Sequence, residues 1–112
     1  MSDTISWDDF IKIDMRIGTV VSVFDFPEAR NASYKLHIDF GDEIGIKKTS
    51  AQITDKYLKD ELLGIQVVAV VNFPVKQIAN FMSECLILGA VENNSVVLIK
   101  PQMKVPNGLK IS

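Results

Sequence analysis

Two runs, Ile65–Phe73 (IQVVAVVNF) and Glu84–Val91 (ECLILGAV), are apolar at both residue parities. Successive side chains of a strand point to opposite faces, so a strand built from either run has no face suited to water. Something must cover the second face: a helix of the same chain, or a second copy of the protein. In 112 residues, enough for one modest core and too few for two, the second copy is a serious option. The length also leaves no room for a separate catalytic domain.

Around these runs the chain alternates between strand and turn signals. Ser6 before Trp7-Asp8-Asp9 reads as a hydroxyl N-cap with carboxylates in the first turn, where they meet the positive end of the helix dipole. Trp7, Phe10 and Ile11 then form the apolar face of a short helix. Met15–Phe24 is β-branched and predicts a strand, with Gly18 where a barrel strand bends or bulges. Residues 26–31 break the pattern. Tyr34, Leu36, Ile38 and Phe40 then alternate with Lys35, His37 and Asp39, the period of a half-buried strand, and a turn at 41–43 leads to a return strand over Ile44–Thr49. Asp55–Leu63 predicts a short helix with Leu58 and Leu62 on one face, closed by Gly64. Pro74 ends the long apolar strand, Asn93-Asn94-Ser95 supplies a turn, and Val96–Ile99 a further strand. An all-β order with a helix after the third strand fits a five-stranded Greek-key barrel of oligonucleotide-binding type, the OB-fold. The alternative is an open α+β sheet. The chain reads as one domain over 1–112, with residues 1–13 a helical extension and 100–112 an irregular tail.

Charge narrows the functional classes. A net charge of −2 and a pI near 5.3 argue against nonspecific coating of nucleic acid, which needs many clustered cations. The distribution is uneven: residues 1–29 carry six acids against Lys12 and Arg16, while Arg30, Lys35, Lys47, Lys48, Lys56 and Lys59 follow. A local basic face is therefore compatible with the acidic total. The first ten residues lack the basic and apolar pattern of a signal peptide, and no run is long enough to insert into a bilayer, so a cytoplasmic protein is expected. The triplets at Asn31 and Asn93 are then chance glycosylation matches.

Catalytic signals are weak. Cys85, His37 and Asp39 are the residue types of a nucleophile, base and orienting group. However, His37 lies on the polar side of its strand and Cys85 between Glu84 and Leu86 suits a small core hydrophobe. With one cysteine and one histidine, a metal site would need carboxylates or another chain. No phosphate loop or nucleophile elbow occurs, so no enzyme, metal or cofactor is expected. The segment Asn72–Ala90 reads instead as a recognition loop. Phe73, Phe81 and Met82 beside Asn72, Lys76, Gln77 and Asn80 admit two readings: core plugs under a loop, or an adaptable surface for bases or peptide side chains. Lys47, Lys48, Thr49, Ser50 and Gln52 combine donors suited to phosphate or carbonyl groups, but taken alone they read better as a solvated hairpin edge, where lysines discourage edge-to-edge pairing.

The stretches Asp14–Val20 (DMRIGTV), Phe26–Arg30 (FPEAR), Lys35–Gly41 (KLHIDFG), Gly45–Thr54 (GIKKTSAQIT), Asn72–Ala90 and Val105–Gly108 (VPNG) closely resemble the CsaA family of export-related chaperones. That family lies within a wider class of tRNA-binding modules, and the match spans nearly the whole chain. The resemblance implies an OB-fold barrel and a homodimer that binds unfolded preproteins and the export motor SecA. It also implies that Trp7, Phe10 and the Val105–Ile111 segment, with Leu109, contribute to the dimer. By resemblance to the tRNA-binding modules, Lys35, Ser50, Asn72, Lys76 and Ser83 occupy motif positions of their binding face. Where those modules end the motif in Ser, any residue, Gly, Met, this chain has Ser83-Glu84-Cys85-Leu86, a departure that with the acidic pI counts against strong tRNA binding.

Two binding functions follow as expectations. In the first, apolar surface around Phe73, Phe81 and Met82, with polar partners at Asn72, Gln77 and Asn80, holds extended preprotein segments without any nucleotide. In the second, Arg30, Lys35, Lys47, Lys48 and Lys76 engage the phosphates of a folded tRNA recognised by shape.

Overall fold

The computed structural model describes residues 3–112, so residues 1 and 2 of the expected extension lie outside the described residues. Helix α1 (Trp7–Ile11) leads to β1 (Met15–Asp25), β2 (Tyr34–Asp39) and β3 (Ile46–Ala51). Helix α2 (Lys59–Leu62) precedes β4 (Gln66–Val70), then β5 (Lys76–Ile78), β6 (Phe81–Ser83), β7 (Leu86–Ile87), β8 (Gly89–Glu92) and β9 (Ser95–Leu98). The main sheet is antiparallel in the order β3-β2-β1-β4-β7, with β5–β6 and β8–β9 as separate two-stranded ribbons. The return of β4 to the flank of β1 makes the Greek key. The architecture is an OB-fold barrel, nearly closed between β3 and the residues before β7.

Closure depends on side chains as much as on the backbone. Glu84 N donates to Lys48 O at 2.8 Å, and Lys48 N donates to the Glu84 side chain at 3.0 Å. Thr49 Oγ1 donates to Cys85 O at 2.7 Å and lies 2.8 Å from Ser83 Oγ. Inside, Val20, Leu36, Ile38, Phe40, Leu62, Val67 and Ala69 form the centre of the core. The alternation over 34–40 holds residue by residue: Tyr34, Leu36, Ile38 and Phe40 are buried, and Lys35, His37 and Asp39 are half-buried on the other side.

Several local expectations are corrected. The irregularity in β1 lies between Val20 and Ser22, not at Gly18. Gly18 is buried against Ile38 and the Phe40 ring, so its missing side chain makes room for the core. The return strand begins at Ile46, after a tight turn closed by Gly45 N to Gly41 O at 2.6 Å. Helix α2 is shorter than Asp55–Leu63, and Leu58 is its exposed N-cap rather than part of a buried face. Upstream, Tyr57 is committed to the barrel: its carbonyl accepts from Tyr34 Oη at 2.8 Å and its hydroxyl from Leu98 N at 2.9 Å. Leu62 is buried and Gly64 has φ +89°, as the helix-stop signal requires.

The cover for the doubly apolar strand is also not what the alternatives offered. In β4, Val67 and Ala69 enter the core, while Val68 and Val70 are buried outside it. Ile99 O accepts from Val68 N on the side of β4 away from β1. Ile17 N donates to Leu109 O at 3.0 Å, and Ile111 N donates to Met15 O at 2.9 Å, on the side of β1 away from β4. The chain between must therefore cross the outer face of both strands. Gln66 ties it down midway, donating to Val105 O at 2.6 Å and accepting from Val105 N at 3.1 Å. The cover is the chain's own C-terminal segment. The second run departs further: only Cys85 is buried, while Leu86 in β7 and Val91 in β8 are exposed.

Candidate functional site

The outward face of β1–β3 carries two rows across the strands, Phe24-Lys35-Ser50 and Ser22-His37-Lys48. Phe24 and His37 pack edge to face at 5.5 Å. At the end of the first row the chain leaves β1 and buries Phe26, and the β5–β6 ribbon folds back to set Phe81 against it, 5.5 Å between ring centres at 61°. Lys35 Nζ lies 5.2 Å from the Phe26 ring centre and 5.8 Å from that of Phe81, and Lys48 Nζ lies 5.3 Å from Phe81. Two ammonium groups thus flank one aromatic pair on the strand 2–3 face, where OB-folds commonly take ligands. Among the described residues, neither lysine forms a salt bridge.

Between that same face of the β5–β6 ribbon and the barrel is a cleft of about 670 Å³, lined chiefly by Phe73, Pro74, Val75, Ile78 and Leu86, with Ser50 and Lys76 at its polar margin. A second depression of about 520 Å³, reached by Arg30, shares Ser50, Ile78 and Leu86 with it. An extended chain lying across Ile78 and Leu86 would meet both. Cross-strand pairing explains the ribbon's sidedness: Ile78 pairs with Phe81, and Gln77 with Met82, so the first pair faces the barrel and the second faces solvent.

The structure groups the expected site residues differently from their order in sequence. Lys47 and Lys48, adjacent in the chain, lie on opposite faces of β3: Lys47 pairs with core-facing Ile38, and Lys48 with His37. Lys48 therefore joins Lys35 and Phe81, and Lys47 does not. Asn72 spends both ends of its amide on the α1–β1 junction, accepting from Asp14 N at 3.0 Å and donating to Lys12 O at 2.7 Å. Ser83 bonds to Thr49 and accepts from Ser50 N at 3.3 Å, closing the barrel. Lys76, Gln77, Asn80 and Met82 are exposed on the ribbon, Phe73 is exposed beside the cleft, and Gln77 Nε2 donates to Ala79 O at the ribbon's turn. Phe24 and Phe26 were not singled out in the sequence. Their only signal is two aromatics at i and i+2 running from a strand into a loop.

The catalytic alternative fails on burial. Cys85 lies in the core, and desolvation pushes its thiol up to about 12, with Lys47 and a Thr49 hydrogen bond opposing and Glu84 reinforcing the shift. His37 faces outward on the far side of the sheet. Among the described residues, no three His, Cys, Asp or Glu side chains come together as a metal set, and no helix is long and apolar enough to cross a membrane. Two other ion pairs are structural. The Arg16 guanidinium, its pKa raised by a hydrogen bond to Asp14 at 2.6 Å, also donates to Gly108 O at 3.0 Å and so holds the tail. Lys59, its pKa raised by Asp25 at 2.9 Å, joins α2 to the end of β1 on the surface.

Of the residues expected at a dimer contact, Trp7 is 66% exposed although it packs on Phe10 at 5.4 Å. Ile5, Trp7 and Phe10 line a shallow depression that reaches Ser112, so the α1 region and the C-terminal residue meet at one apolar surface. Leu109 is exposed, and Val105 and Ile111 are half-buried.

Residues 15–110 match the family model described as "Putative tRNA binding domain". The chain belongs to the tRNA-binding-domain family. As a member it is 51% identical to a solved structure of chaperone CsaA from Bacillus anthracis, with a TM-score of 0.93 over 98% of this chain and 100% of that one. It is 53% identical to a CsaA chaperone protein from Picrophilus torridus, with a TM-score of 0.91 over 97% and 100%. The methionine–tRNA ligase of Thermococcus kodakarensis is 33% identical over 107 residues, 96% of this chain but 14% of the ligase. This family member thus spans about a seventh of the ligases it matches and the full length of the CsaA chains.

Proposed function

We propose that the protein is a binding module of chaperone type, a homodimer that holds extended, partly apolar segments of unfolded preproteins and passes them to the export motor SecA. The observation that carries this reading is the apolar cleft between the β5–β6 ribbon and the barrel, in a chain matching CsaA structures over their whole length. Phe73 and Ile78 supply apolar surface, Phe81 fixes the ribbon on that same barrel-facing side, and Met82 with the Gln77 and Asn80 amides offers further contacts on the ribbon's solvent side. Wide, shallow contacts of this kind suit many sequences weakly. A second reading, tRNA binding, is favoured by the Lys35–Lys48–Phe26–Phe81 group and by the family itself. In it, Arg30 and Lys76 add phosphate contacts at the rim.

Salt separates the two. Titrating labelled tRNA and an unfolded preprotein peptide at low and high salt should show peptide binding that scarcely changes, since apolar burial is not screened. Phosphate-dominated binding would fall steeply. Replacing Phe81 with Ser is expected to weaken peptide binding about tenfold, with circular dichroism unchanged. Unchanged peptide affinity in the folded variant would remove the cleft from the proposal.

For the dimer, the apolar surface formed by Ile5, Trp7 and Phe10 beside the C-terminus is the proposed contact, with Val105, Leu109 and Ile111 contributed by the tail. Trp7→Asp should shift sedimentation from dimer toward monomer, because it places a carboxylate in a desolvated contact. A variant that sediments as the parent does would place the interface elsewhere.

A further inference from the structure

The β5–β6 ribbon is attached to the barrel in an unusual way. Its own strands are hydrogen-bonded to each other and its turn is closed by Gln77. Among the described residues, no hydrogen bond runs from residues 74–82 to the barrel; the bonds to β3 begin at Ser83, the last residue of β6, and at Glu84. Phe81 therefore anchors the ribbon by packing, held between Phe26 and the ammonium groups of Lys35 and Lys48. Those groups are also the unpaired cations of the strand 2–3 face.

A phosphate that takes a lysine into a charge-assisted hydrogen bond of about 2.8 Å draws the ammonium away from an aromatic face more than 5 Å distant. We propose that single-stranded nucleic acid, bound with its phosphates on Lys35 and Lys48, releases Phe81 and loosens the β5–β6 ribbon, so that nucleic acid on the two lysines and peptide in the neighbouring cleft weaken each other. The inference rests on the peptide reading of the cleft for its second half only. Ribbon residues Lys76, Gln77 and Ile78 form one wall of that cleft, and a wall that is no longer fixed binds less well. Linkage makes the antagonism reciprocal: peptide lowers nucleic-acid affinity by the same factor.

The test uses the full chain with a twelve-residue oligouridylate at constant ionic strength. Saturation is expected to speed amide hydrogen exchange of residues 76–82 by about tenfold, from the loss of two half-buried cation–π contacts, while the β1 and β4 amides are unaffected. An unfolded preprotein peptide should then bind about tenfold more weakly, and Phe81→Leu, which keeps apolar bulk but offers no ring to the lysines, should bring that factor close to one. Oligouridylate that does not bind, or binds without changing ribbon exchange, overturns the proposal. The same antagonism in Phe81→Leu also overturns it, since the two ligands would then merely overlap. Faster ribbon exchange with no peptide binding under any condition upholds the release and overturns the peptide reading instead.

Discussion

Gly18→Ala is expected to lower the midpoint of thermal unfolding by roughly 10–15 °C, corresponding to about 3 kcal/mol in a domain of this size. A Cβ at this position would lie 2.5 Å from Ile38 Cγ2 and 2.7 Å from the Phe40 ring. Both side chains are fully buried, so neither can move aside without displacing others. Gly18 is not among the glycines with positive φ, which separates this cost from backbone strain: alanine suits the conformation and fails only on space. Phe40→Leu in the same chain should therefore recover part of the loss, giving a double-mutant coupling of about 1 kcal/mol or more. Strictly additive effects, measured by chemical denaturation, would show that Gly18 is required for the path of the strand instead.

The second large effect concerns Cys85. Burial raises its thiol from 9.0 to about 12, a difference of three pH units, so the reactive thiolate is about a thousandfold rarer in the native protein at pH 8 than in the unfolded chain. Alkylation by iodoacetamide is expected to be slower by at least that factor in native buffer, and rapid in denaturant. The sign for stability follows. Below about pH 9 the thiol is protonated in both states and the native state has its full stability; between pH 9 and 12 the unfolded chain ionises first and the native state loses ground. Cys85→Ala should flatten that decline. Comparable labelling rates in native and denaturing buffer would show the thiol to be exposed, and would reopen the nucleophile reading that its burial closes.

The stretches by which the chain resembles its relatives serve the scaffold more than the ligand. In Asp14–Val20, Arg16 holds the tail and Gly18 admits Phe40. In Val105–Gly108, the Asn107 side chain accepts from Thr19 Oγ1 at 2.7 Å and Gln66 Nε2 at 3.1 Å. Gly108, at φ +89°, passes so close to Phe40 O that a side chain would collide with it. Asn72 and Ser83 are likewise occupied within the fold. A motif therefore marks a shared structure without saying which of its residues face a partner.

The sequence alone determined what depends on neighbours along the chain. The Ser6 cap with its Asp9 partner, the alternation over 34–40, the stop at Gly64 and the turn at Asn93 are local, because propensity and side-chain period act over a few residues. Those signals were sufficient for an all-β barrel with a helix after its third strand. Tertiary structure alone decided which residues meet across distance. It sent Lys47 and Lys48 to opposite faces, brought Phe26 and Phe81 together from 55 positions apart, and laid the C-terminal segment over β1 and β4. Each outcome depends on strand register and chain crossing, which long-range packing fixes and which a linear pattern of apolar and polar residues does not contain.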